Sequence, residues 1–128
     1  MSKSALYTVN TNSQALAVGN TIDLGQIIRR FGCNANLINN NTVRINGQGY
    51  FKVNAVITIT GTTAGTVNIN LLKDGSNVIS SSASVTEGGI ITIPLQALVR
   101  ECNCSNLTFE LSGTAETVSS ITVIVEKI

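Results

Sequence analysis

The chain has 128 residues, 43% of them hydrophobic and only 12% charged, with a formal net charge of +1. That length is one domain with an apolar share large enough to build its own core, and the charge content is about half the usual share. The eight basic residues are scattered, so no stripe exists to neutralise phosphates and nucleic acid is excluded as a partner; no apolar run is long enough to cross a bilayer as a helix.

In chain order, residues 1–13 are rich in Ser, Thr and Asn and read as an N-terminal arm, without the apolar core of a signal peptide. A single domain is expected over 14–128. Ala15–Val18 and Thr21–Leu24 read as short strands split by Gly19-Asn20, and Gln26–Arg30 as a further strand or a single turn. Phe31–Asn41, with Gly32 and five Asn, reads as a loop. From Val43 onward the apolar residues occupy odd positions and the polar ones even positions. Strands are predicted at 42–46, 49–60, 66–73, 77–85, 90–99, 106–112 and 119–127. A period of two marks strands with one face buried and one wet. Asp74-Gly75 predicts a tight hairpin. Pro94, the sole proline, is placed at an edge or bulge. So many short strands without a helix pattern predict an all-β antiparallel two-sheet sandwich or jelly roll.

Several even, outward positions are also apolar: Tyr50, Val56, Leu72, Ile90, Ile124 and Ile128. If they share one sheet they form a patch of the kind that marks a protein partner. Self-association about a closed symmetry axis accounts for it most simply. Tyr50, Val56, Leu72, Ile124 and Ile128 are the candidate interface residues.

No catalytic constellation appears. Histidine is absent, which removes the commonest general base. The seven carboxylates are isolated in sequence, and no phosphate loop, nucleophile elbow or zinc signature occurs. No cofactor is called for. Cys33, Cys102 and Cys104 are expected to be reduced, buried thiols without metal, since free Cys is among the most buried residue types. The second functional class is carbohydrate recognition. The chain lacks Trp, but Phe31 with Asn34, Asn36 and Asn39 forms a candidate glycan-binding loop.

The stretch Val43–Ile59, with its glycine–aromatic step Gly49-Tyr50-Phe51, resembles the C1q/TNF-like jelly roll. So do the hairpin Leu71–Ile79 and the closing segments Asn106–Ser112 and Ser120–Lys127. The whole chain is also similar to small proteins encoded by phages and prophages of Firmicutes and gut bacteria, at Met1–Thr8, Ile28–Gly32 and Leu98–Cys102. The resemblance implies a homotrimer packed through one sheet. It further implies a virion structural protein, such as a capsid decoration or head fibre, assembled in a bacterial cytoplasm and displayed on the particle. Its partners would be its own copies, other virion proteins and, on the carbohydrate-binding reading, bacterial surface glycans.

Overall fold

A computed structural model describes residues 4–128. Eleven strands and no helix make up these residues: β1 (Ala5–Asn10), β2 (Gln14–Leu16), β3 (Gln26–Phe31), β4 (Ala35–Ile38), β5 (Thr42–Asn46), β6 (Gly49–Thr60), β7 (Gly65–Lys73), β8 (Ser76–Val85), β9 (Ile90–Glu101), β10 (Cys104–Gly113) and β11 (Glu116–Lys127). They form two antiparallel sheets. One has the order β3-β1-β11-β6-β9, with β2 paired to β11; the other has the order β4-β5-β10-β7-β8. Among the described residues no helix is long and apolar enough to cross a membrane.

The odd-position rule places the core. Phe51, Val53, Ala55, Ile57 and Ile59 of β6 meet Val67, Ile69 and Leu71 of β7 and Leu107, Phe109 and Leu111 of β10 in one buried cluster. In these three strands the inward face is a row of alternate, almost wholly apolar residues, so they pack against each other across the sandwich. The β7–β8 connection is the two-residue hairpin that Asp74-Gly75 predicts. Both residues have positive φ, 50° and 85°, the mirror-type turn that matches strand twist. Pro94 lies on the edge strand β9, where a missing N–H breaks no ladder bond.

Three expectations are corrected. The segment read as an arm is mostly strand: residues 1–3 lie outside the described residues, and Ala5–Asn10 form β1, hydrogen-bonded between β11 and β3. Its inward side chains are Leu6, Thr8 and Asn10; two of the three are polar, which hides the alternation. Phe31–Asn41 is not wholly loop, because Ala35–Ile38 pairs with β5. Its Asn content serves the turn after β4, where Asn39 and Asn40 adopt φ of 54° and 60°, a conformation Asn tolerates better than most residues. Thr21–Leu24 buries Ile22 and Leu24 but makes only an isolated bridge, Thr21 to Glu110. It lies against β10 through the Ile22 N–H donating to the Phe109 carbonyl, beyond the four-residue pairing of β10 with β5.

Candidate functional site

The outer faces of the two sheets differ in chemistry. On the five-stranded sheet, Asn68, Asn70, Ser80 and Ser112 face outward, and the Ser80 hydroxyl donates to Asn70 Oδ1 at 2.6 Å while Asn70 Nδ2 donates to Ser112 Oγ at 3.0 Å. Asn70, Ser80 and Ser112 thus bond to one another across three neighbouring strands of a mostly polar face.

The outer face of the six-stranded sheet is apolar at its centre. The pairing register places Tyr7 beside Ile124, Val9 beside Thr122, Thr122 beside Val56, and Val56 beside Pro94. Tyr50 (49% exposed), Val56 (42%), Ile124 (38%) and Ile128 (69%) all lie on this face or its margin. The Ile128 N–H donates to the Tyr50 carbonyl, tying the last residue to β6. Leu98 of β9 also lies exposed across from Lys52. Charged side chains collect toward one end, where Glu126 opposes Lys52 and Arg100 opposes Tyr50. An apolar centre with a charged margin is the anatomy of a protein interface. Leu72 does not belong to this surface. It lies half-buried on β7, in the opposite sheet.

The candidate glycan residues are not brought together. Phe31 pairs across from Ala5 on β3 and, with Tyr7, Arg29 and Ile124, lines a hollow of about 230 Å³ on the apolar face. Asn34 is buried and committed: its Oδ1 accepts from the Ser4 hydroxyl and its Nδ2 donates to the Asn46 carbonyl. Asn36 accepts from the Leu37 N–H. Asn39 sits past the far end of β4, in the turn described above. A buried amide with filled hydrogen bonds holds turns together and offers nothing to a sugar.

The cysteines are also placed differently from expectation. All three are exposed rather than buried. They gather at one end of the sandwich. Asn46 pairs with Cys104, the Asn46 amide donates to the Cys33 carbonyl, and the Gly47 N–H donates to Asn103, next to Cys102. Cys104 begins β10 on an even, outward position and Cys102 lies in the turn before it, so strand phase overrides the general preference of thiols for burial. Among the described residues no group of Cys, Asp or Glu is arranged to hold a metal. Alkylation of the native protein should label all three thiols, since exposure governs access; protection of any one until denaturation contradicts this placement.

Two buried carboxylates escape a reading by composition. Glu101 ends β9, and its Oε1 accepts from the Ser105 hydroxyl while Oε2 accepts from the backbone N–H groups of Cys102 and Asn103 at 3.1 and 2.8 Å. Lys73 Nζ lies 3.5 Å from Oε1. Burial of Glu101 opposes its charge, but the Ser105 hydroxyl, the Asn103 N–H and the Lys73 ammonium together outweigh it and hold the carboxyl below its ordinary range. A lowered folded pKa means stabilisation that is complete above the unfolded value and lost as pH falls through the folded one. Glu101→Gln should therefore lower the melting temperature near neutrality, with the difference from wild type shrinking in acid; a constant difference across that range would contradict the linkage. Glu116 is the second buried carboxylate, at the start of β11. The pairing of β6 with β9 and β11 puts Glu101 and Glu116 at opposite ends of twelve-residue β6, roughly 35 Å apart at strand rise. They cannot act as a catalytic pair.

No family model matches the chain, and no curated protein matches it. Solved structures do. Murine APRIL at pH 8.0 superposes with a TM-score of 0.79 at 12% identity, over 99% of this chain and 100% of that one. The globular domain of zebrafish complement 1qA protein gives 0.74 at 8% identity, over 97% and 95%. PRD1 vertex protein P5 gives 0.69 at 15% identity, over 98% and 96%. The fold is thus the jelly roll of the C1q/TNF type along the whole described chain. Identities this low speak for the fold alone.

Proposed function

We propose that the protein is a noncatalytic structural module of a phage particle: a homotrimer that decorates the capsid or forms a fibre-like projection on the head. The observation that carries this reading is the asymmetry of the two outer faces. One carries an Asn70–Ser80–Ser112 hydrogen-bond ladder, while the other leaves Tyr50, Val56, Ile124 and Ile128 exposed. Apolar area of that kind, left wet, forgoes roughly 25 cal/mol per Å² of stabilisation, and identical copies around an axis recover it. The structural likeness to a phage vertex protein supports a place in the virion, and the low charge suits a rigid particle component. Both buried carboxylates serve as hydrogen-bond acceptors for turns and loops, which supports a protein without turnover. Its partners are then other copies of itself and neighbouring capsid proteins, on the surface of a virion assembled in bacterial cytoplasm. Quantitative proteomics of purified particles should find the chain at many copies per virion, and its absence from them would reject the structural role.

A second reading, recognition of bacterial surface carbohydrate, is favoured by one observation. The end of the sandwich remote from the described termini carries loops around a hollow that includes a buried carboxylate. Loops on a rigid scaffold are where binding residues accumulate. This reading moves recognition away from Phe31, Asn34, Asn36 and Asn39.

A further inference from the structure

We propose that β8 is a docking edge for a second copy of this chain, joined by antiparallel pairing of β8 with β8 about a twofold axis at Ser82. A sheet edge presents unpaired backbone N–H and C=O groups. Edges that lack charge, proline or brevity are templates for pairing with another chain. The two strand orders end in β3, β9, β4 and β8, and three of these carry such a device. β3 has Arg29 and Arg30, β9 has Pro94 and Arg100, and β4 is four residues long. β8 has none of them. It runs for ten residues, and no charged residue or proline occurs from Gly75 to Thr86. It is paired to β7 alone, and among the described residues no other element sends a backbone hydrogen bond to it.

The edge matches itself, which selects the partner. The register shift of β8 against β7 falls between Leu71 and Leu72, so Ile79–Val85 is the regular stretch, opposite Leu71–Gly65. A twofold axis at its middle residue, Ser82, sets Ile79 beside the partner's Val85, Ser80 beside the partner's Ser84 and Ser81 beside the partner's Ala83. Directly opposed residues share a face of the sheet. Ile79, Ser81 and Ala83 stand opposite the core residues Leu71, Ile69 and Val67, so across the junction the inward row stays apolar or small. The outward row sets serine against serine, and no charge is opposed at any position. Seven residues span about 23 Å at strand rise and, one sheet deep, cover on the order of 500 Å² over both copies. That is below the roughly 1,200 Å² at which stable interfaces begin. The edge therefore does not hold dilute molecules together; it joins copies already crowded side by side, where effective concentration is high. It lies in the opposite sheet from the proposed trimer face, so the two contacts are independent.

The test is cross-linking of the full chain at millimolar concentration with a short bismaleimide. The three exposed cysteines are first replaced by serine. Ser82→Cys should then link chain to chain, because the residue faces its own copy across the axis. Asn77→Cys, exposed on the same strand, should not link, since the two copies of that position lie about 33 Å apart in this register. Charge decides the geometry further. Added to Ser82→Cys, the pair Ser80→Lys and Ser84→Lys opposes like charges twice and should abolish the link. The pair Ser80→Lys and Ser84→Asp changes the same positions but opposes unlike charges, and should keep it. The link should also persist with Val56→Lys, which removes the proposed trimer. Absence of a link from Ser82→Cys overturns self-pairing and leaves the edge to a strand of another protein or to solvent. Equal linking by Asn77→Cys, or by both charge variants, overturns the twofold register. A link that vanishes with Val56→Lys belongs to the trimer contact and overturns the edge as a separate interface.

Discussion

Phe109→Ala should destabilise the protein by about 3–5 kcal/mol, the usual loss when an aromatic core side chain is emptied. Phe109 is fully buried at the middle of β10, with Leu107 and Leu111 on the same face and Leu71 as its partner on β7. Its strand is the central member of the five-stranded sheet, held on both sides, so neighbouring backbone cannot close in to refill the space. Part of the cost is the forgone transfer of the ring out of water, and the remainder is the dispersion attraction that the cavity walls forfeit. In thermal denaturation the loss corresponds to roughly 10–20 °C for a domain of this size. Val18→Ala, at an exposed loop residue, is the control and should stay within about 0.5 kcal/mol of wild type. A Phe109→Ala loss no greater than that control would mean that the two inner faces do not form one core.

The strands that the sequence predicts well are those in which one phase holds from end to end. In β6, β7 and β10 every inward side chain is odd-numbered and nearly every one is apolar, so composition and geometry carry the same signal. The misread regions break one of those two conditions. In β1 the phase is even and the inward set, Leu6, Thr8 and Asn10, is mostly polar, so nothing distinguishes it from an arm. In β11 the phase changes within the strand. Glu116 and Val118 are buried at even positions, and Ile121, Val123 and Val125 at odd ones, because a register shift falls between Val118 and Ser120. A bulge of this kind inverts the faces on either side of it. The step from Val118 to Ile121 is the one sign in the sequence that Glu116 points inward. Glu101 is more legible. It continues the odd series Ile93, Leu95 and Val99 of β9, and only its charge argues for the surface. The cysteines show the reverse case, since the even position of Cys104 outweighs the general preference of its residue type for burial. Leu72 shares the even phase of Tyr50 and Val56, but phase alone does not say which sheet a strand joins; only the strand order β4-β5-β10-β7-β8 separates it from them.

Val56→Lys and Ile124→Lys should each convert the proposed trimer to monomers without unfolding the sandwich. Both side chains point away from the core, and they stand on the adjacent central strands β6 and β11. Val56 is flanked by Thr122 and Pro94, and Ile124 by Tyr7 and Asn54, so no carboxylate stands directly beside either to pair with an ammonium. In a monomer the new lysine extends into water and costs almost nothing. In a symmetric assembly three copies are introduced together, and each buried unpaired charge costs about 3–5 kcal/mol. That sum exceeds what a modest apolar patch returns at roughly 25 cal/mol per Å². Light scattering should therefore show a trimer for the wild type and a monomer for either variant, with unchanged far-ultraviolet circular dichroism. Leu72→Lys is the internal control: on the opposite sheet, it should leave the trimer intact. A wild-type protein that is monomeric at micromolar concentration would reject the assembly altogether. Persistence of the trimer in both variants, with dissociation by Leu72→Lys, would move the interface to the five-stranded sheet and make its Asn and Ser ladder the buried face.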